Sequence, residues 1–301
     1  MWNTNNFESK TVNKVFRRAS LNQRVFGRSE LNRKHKMGIR PEPIGGQLFS
    51  KERIPLGLFI WEFPMAGMWP VLASTGIDFA VVDMEHSAFS YREVGTLLAG
   101  ARSTELVALV RVPELNRNVI GRVLDLGADG VIVPHITTAE QAADLVSYAR
   151  YHPQGNRNVA FGCPLDGYGN SVYGLEEFSQ IANSHIVCIP MIESLEGVSA
   201  VREICQTPGV DGIWLGFADL SQSAGKLGDY EHDTFIEGER RVLQACKEFN
   251  VPLGVVATSV KEVIRQNERG YRMIALGTET SILQQEVANR VNQITAELTR
   301  H

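Results

Sequence analysis

From Pro55 onward, short apolar runs alternate with longer amphipathic stretches, and the cycle repeats eight times. That rhythm constrains the fold more than any other feature, because strands separated by helices must run parallel, with the helices covering the sheet. The predicted strands are LGLFI (56–60), FAVVDM (79–84), LVALVRV (106–112), GVIVPHI (130–136), IVCIPMI (186–192), GIWLGF (212–217), PLGVV (252–256) and RMIALG (272–277). The predicted helices are GMWPVLAST, YREVGTLLAGARS, NVIGRVLDLG, TAEQAADLVSYARY, GVSAVREICQ, DTFIEGERRVLQACKEFN, SVKEVIRQNERG and a terminal stretch from Ser281. Eight such units over 55–301 predict an α/β fold, a (β/α)8 TIM barrel of the usual length of about 250 residues. A doubly wound sheet fits less well: no G-x-G-x-x-G follows the first strand, and eight units overfill its six-stranded order.

The domain reading is a basic, flexible extension over 1–50, a barrel over 51–301 and an extended C-terminal helix. Residues 1–41 carry ten Lys or Arg against Glu8 and Glu30, so the remainder is markedly acidic within a net charge of −4. The extension has no apolar h-region and reads as a solvated or partner-binding arm; an organellar transit peptide is an alternative, and a nucleic-acid arm the weakest reading. The longest apolar runs are strand-length, far below the ~20 residues of a membrane helix. Cys163, Cys188, Cys205 and Cys246 form no C-x-x-C pair, which with the composition points to a reducing, cytoplasmic setting.

Barrel enzymes build their sites at the C-terminal ends of the strands, so ionisable residues there read as chemistry. The second strand ends in DMEH, with Asp83, Glu85 and His86; the third presents Arg111, the fifth Glu193 and the sixth Asp219. Glu193 and Asp219 suit a Mg²⁺ or Mn²⁺ site, with Co²⁺ as an alternative, in which substrate and water complete the coordination. Zinc is disfavoured because only His86 supplies a nearby nitrogen. Gly216 and the helix start at Ala218 offer backbone N–H groups to a carboxylate. Together these would chelate a 2-keto acid, with Arg111 neutralising charge on the keto oxygen and His86 moving the proton. His135, also at a strand end, has no partner in the sequence and is read as lining; His152, His185 and His232 fall in predicted loops.

Seven motifs in order, VVDMEH, LVRVP, RVLDLGADGVIVPHITTAEQA, RYHPQGNR, IPMIESLEGV, PGVDGIWLGFADLSQSAG and ALGTETSIL, resemble the HpcH/HpaI aldolase family from about Pro55 to about Leu283. The resemblance implies a metal-dependent class II pyruvate aldolase, a carbon–carbon lyase that splits a 4-hydroxy-2-keto acid into pyruvate and an aldehyde through a metal-bound enolate. It implies His86 as general base, Arg111 polarising the keto oxygen, and Asp125 pairing with the base. It also implies Glu193 and Asp219 as metal ligands and the backbone of Gly216, Ala218 and Asp219 as the carboxylate site. Asp125 comes from the resemblance alone, since within VIGRVLDLG it reads as a solvated helix acid. A homo-oligomer, a hexamer exchanging its C-terminal helices, is implied too, with neither membrane nor nucleic acid as partner.

The chain departs from the family at Met191, where Gln is usual, and at Phe217 and His152, where Pro is usual. These changes imply a lost polar contact and an aromatic ring beside the carboxylate site, favouring a less hydroxylated acceptor. Alternative activities are oxaloacetate decarboxylation of the macrophomate-synthase kind, citrate-lyase-like cleavage of an acyl-CoA, and an inert barrel whose tail binds a partner.

Overall fold

A computed structural model describes residues 43–50, 52–169 and 173–299. Eight parallel strands close into a barrel in sequence order, with β8 pairing back onto β1. They are β1 (Leu56–Ile60), β2 (Phe79–Asp83), β3 (Val107–Arg111), β4 (Gly130–Val133), β5 (Val187–Ile192), β6 (Ile213–Leu215), β7 (Leu253–Val256) and β8 (Met273–Thr278). The helices are α1 (Met68–Ala73), α2 (Tyr91–Ala101), α3 (Arg117–Asp125), α4 (Ala139–Ala149), α5 (Leu175–His185), α6 (Leu195–Ser199), α7 (Val201–Gln206), α8 (Phe217–Ser223), α9 (Asp233–Glu248), α10 (Val260–Arg269) and α11 (Glu279–Leu298).

Strand parity sorts the core into two layers, because successive side chains of a strand point to opposite faces. Phe59, Phe79, Val81, Val107, Leu109, Ile132, Val187, Ile189, Met191, Trp214, Met273 and Ala275 fill the barrel interior. Their neighbours, such as Leu58, Val82, Val110, Val131 and Leu215, pack outward against the helices. Both faces are covered, so the strands read as continuous apolar runs rather than alternating ones. Where the interior is crowded glycine is needed: a Cβ on Gly254 would meet the Trp214 ring and the end of Met273.

The N-terminal ends of the strands are tied by three acids. Asp78 accepts the Leu56 N–H at 2.9 Å, Asp129 the Ala108 N–H at 2.8 Å and Asp211 the Cys188 N–H at 2.8 Å. Each acid precedes an even-numbered strand and holds the odd-numbered strand before it, a role in stability at the end remote from barrel chemistry.

A 3₁₀ turn over Gly45–Ser50 caps this end of the barrel, with Ile44 and Leu48 buried in the interior cluster and the Ile44 N–H donated to Asp129 Oδ1 at 3.0 Å. The barrel would otherwise leave its lowest layer open to water, and these two side chains fill it. Residues 1–42, the bulk of the predicted extension, lie outside the described residues.

The helix α5 was not expected. It returns the chain to β5 after a long connection containing a second 3₁₀ turn, Pro164–Asp166, and it includes His185, which therefore ends a helix rather than lying in a loop. The predicted GVSAVREICQ helix is two, interrupted at Ala200. No helix among the described residues is long and apolar enough to cross a membrane.

Candidate active site

The parity that fills the barrel also aims the last residue of several strands at one point. Phe79 and Val81 face inward, so Asp83 does; Val107 and Leu109 face inward, so Arg111 does; Ile189 and Met191 face inward, so the next such position is Glu193.

Asp83 and Arg111 are register partners on β2 and β3. Arg111 donates from Nε to Asp83 Oδ1 at 3.0 Å and from Nη2 to Oδ2 at 2.5 Å, a two-point pair with both side chains buried. That geometry fixes the guanidinium plane, and the Phe59 ring, 5.1 Å below it, supports the other face. Asp83 Oδ1 also accepts the backbone N–H groups of Glu85 at 2.9 Å and His86 at 3.4 Å, so one buried carboxylate shapes the loop that carries both. Arg111 Nη1 lies 3.1 Å from Glu85 Oε2.

Glu193 is 3 % exposed. Its Oε1 accepts the backbone N–H of His135 at 2.7 Å and lies 2.7 Å from His135 Nδ1. Its Oε2 has no hydrogen-bond partner among the described residues. Burial raises the Glu193 carboxyl above the usual carboxylate range; the His135 backbone N–H and the charge of its imidazole oppose the shift, while the charges of Glu85 and Asp219 reinforce it. Glu85 is raised as well, first by burial, with Arg111 opposing. Crowding of buried carboxyls with raised pKa marks a place prepared for positive charge.

Gly216 is extended and caps the seven-residue helix α8. A Cβ there would lie 2.6 Å from Met191 Cε and 2.8 Å from Glu193 Oε2, so only glycine lets this helix start against Glu193. The first helical bond runs from the Leu220 N–H to the Gly216 carbonyl, leaving the N–H groups of Phe217, Ala218 and Asp219 outside the ladder. Asp219 is in the first turn and acts on Glu193 through its charge.

His86 sits at the open rim, its side chain 52 % exposed and its Nε2 3.8 Å from Glu85 Oε2. The Trp61 ring stands edge-on at 6.2 Å. Trp61 is placed by Glu279, whose buried carboxylate accepts the backbone N–H groups of Trp61, Glu62 and Phe63 at 2.9, 2.6 and 3.1 Å.

Two expectations change. Asp125 is the last residue of α3, and helices run back along the barrel, so it lies at the end opposite the strand termini that carry Asp83 and Arg111. Its partner is Arg157, whose Nη2 donates at 2.6 Å, and the single chain does not assemble a His86–Asp125 pair. Phe217 turns its ring away from the carboxylate site, against Phe235 at 5.2 Å, Tyr230 at 5.6 Å and Tyr271 at 6.3 Å, because it is the first outward residue of α8 and joins the helix layer. Met191, by contrast, does form the floor beneath Gly216 and Glu193.

The sequence alone gives Asp83 and Glu85 no separate role and His135 only that of lining. Inward parity of β2 could have found Asp83. His135 has a left-handed backbone, φ 58°, which is uncommon outside glycine and which no sequence pattern announces. Ligand atoms of Glu85, His135 and Glu193 lie within 4.8 Å of one another. Two carboxylates and an imidazole, with one buried carboxylate oxygen unpartnered, fit a divalent cation.

A profile of the HpcH/HpaI aldolase/citrate lyase family matches residues 57–285. The chain is 30 % identical over 236 residues to a 2-dehydro-3,6-dideoxy-6-sulfogluconate aldolase of Pseudomonas putida, covering 78 % of this chain and 91 % of that protein. It is 32 % identical over 231 residues to a hydroxypyruvate/pyruvate aldolase of Paraburkholderia phytofirmans, covering 72 % and 87 %. The crystal structure of an HpcH/HpaI aldolase from Desulfitobacterium hafniense superposes with a TM-score of 0.78 at 27 % identity, over 84 % of this chain and 96 % of that one. The chain therefore belongs to the HpcH/HpaI aldolase/citrate lyase family, and it is a carbon–carbon lyase.

Proposed function

We propose that this site performs reversible aldol cleavage of a 4-hydroxy-2-keto acid, giving pyruvate and an aldehyde. The observation that carries the reading is Glu193 Oε2, buried and unpartnered beside the bare α-carbon of Gly216. A divalent cation, Mg²⁺, Mn²⁺ or Co²⁺, held by Glu193 and Asp219 would supply Lewis-acid polarisation of the 2-keto group. The N–H groups of Ala218 and Asp219, with Gly216 leaving room, receive the substrate carboxylate. Arg111, locked by Asp83 with Nη1 turned toward Glu85, places fixed positive charge where the keto oxygen gains electron density. His86, at the open rim, accepts the proton of the 4-hydroxyl on an imidazole nitrogen; the O–H electron pair becomes the aldehyde carbonyl as the C3–C4 bond breaks.

Asp125 can support His86 only from a second copy of the chain. An assembly also suits α11, whose Ile282, Leu283, Val287, Val291, Ile294 and Leu298 are all exposed at helical spacing. We take the chain as a homo-oligomer, a hexamer on the family pattern. The apolar floor at Met191 favours an acceptor with few hydroxyls over a polyhydroxylated one, closer to the hydroxypyruvate/pyruvate aldolases than to a sugar-acid aldolase.

The test is an assay of purified protein with pyruvate and a panel of short aldehydes, with and without EDTA. Metal-dependent adduct formation is expected, with no pyruvate adduct trapped by borohydride. Full turnover in excess EDTA, or a borohydride-trapped lysine, would overturn the reading.

A further inference from the structure

The sequence offers only His86 as a nearby nitrogen donor; the structure brings a second imidazole into the carboxylate group. His135 follows β4, and its left-handed backbone turns both its own N–H and its ring onto Glu193. The backbone N–H is donated to Glu193 Oε1 and ring Nδ1 lies 2.7 Å from that same oxygen, which sets the direction of Nε2. That direction is Glu85 Oε1, 3.5 Å away.

In a neutral ring whose proton sits on Nδ1, Nε2 carries a lone pair and confronts the lone pairs of the Glu85 carboxylate. Two acceptors at that distance repel unless a proton or a cation lies between them, and the unpartnered carboxylate oxygen beside them favours the cation. Ligands bound to one ion at roughly 2.0–2.2 Å lie about 3 to 4 Å apart, which brackets the observed spacing. Glu193 Oε2, unpartnered within a nearly fully buried residue, is an independent sign that a ligand belongs here.

We propose that His135 Nε2 is a ligand of the divalent cation at Glu193, and that this nitrogen gives the site a preference for a first-row transition ion over Mg²⁺. The proposal rests on the metal-site reading of Glu193. Imidazole gains little with hard Mg²⁺, which prefers oxygen and retained water, whereas affinity for Mn²⁺, Co²⁺ and later ions grows with nitrogen donation.

The direct test needs no variant: pulsed electron paramagnetic resonance of the chelator-stripped protein reloaded with Mn²⁺ should show coupling to an imidazole ¹⁴N. The coupling should vanish in His135→Asn and His135→Gly, both residues that tolerate the left-handed backbone. In calorimetric titrations, each variant should bind Co²⁺ at least tenfold more weakly than the unmodified protein, while Mg²⁺ affinity changes less than about threefold. No ¹⁴N coupling in the unmodified protein, coupling that persists in both variants, or unchanged Co²⁺ affinity would overturn the proposal. Glu193→Gln separates the two levels. Loss of both ions there, with His135 variants unaffected, sinks only the nitrogen ligand; retention of both ions sinks the metal site and the ligand together.

Discussion

Asp83 and Arg111 face each other across β2 and β3 in register, and their two-point ion pair is buried inside the barrel mouth. One carboxylate thereby sets the guanidinium plane and, through two backbone N–H groups, the loop of Glu85 and His86.

Removing one partner of such a pair leaves the other charge buried and uncompensated. Asp83→Ala should cost about 3 to 5 kcal/mol of stability, and Asp83→Asn should retain the fold better but lower kcat, because the neutral amide no longer fixes the fork. Thermal unfolding and steady-state kinetics of the two variants check this; wild-type kcat in Asp83→Asn would detach the pair from catalysis.

Gly216→Ala inserts a methyl group into the space between Met191 and Glu193, 2.6 and 2.8 Å from their nearest atoms. Stability should fall by about 1 to 3 kcal/mol as for other overpacked sites. Cation affinity should fall more than tenfold, since Glu193 must move to make room. Calorimetry on the folded variant reads this, and an unchanged dissociation constant would show that Glu193 is not held by that contact.

Leu48→Ala probes the cap of the barrel. Leu48 is fully buried in the interior cluster, so truncation should cost about 2 to 5 kcal/mol. Because the cap is at the opposite end from the site, KM should stay within about twofold of the wild-type value. A variant as stable as the parent would mean that residues 45–50 do not seal the barrel.

Val287→Asp and Val291→Asp place charge on the apolar face of α11. In an assembly built through that face each substitution buries an unpaired carboxylate, so the oligomer should dissociate at micromolar protein. Light scattering reports the mass. If Asp125 serves His86 from another copy, aldol turnover should fall in step with the loss of mass; a dissociated protein with full activity would exclude that arrangement.

Much of this protein is readable in order along the chain. Eight apolar runs separated by amphipathic ones specify the barrel, because a strand buried on both faces must be apolar throughout and its crossover must cover it. Barrel geometry then makes His86, Arg111, Glu193 and Asp219, all at strand ends, the expected site from the sequence. Cap chemistry is local too: Ser90 with Glu93 and Thr138 with Gln141 close capping boxes at the starts of α2 and α4.

The rest depended on approach through space. Ile44 and Leu48 look like the end of a basic tail until the open lower layer of the barrel is there to receive them. Asp125 carries the family's motif, yet the antiparallel return of α3 sets it at the far end beside Arg157. Phe217 is adjacent in sequence to the carboxylate site, but one residue of helical phase sends its ring into the helix layer. His135 was silent because its role requires a left-handed backbone at the end of one strand and a buried carboxylate at the end of the next. Periodicity records which face a residue occupies; it carries no information on which distant group that face will meet.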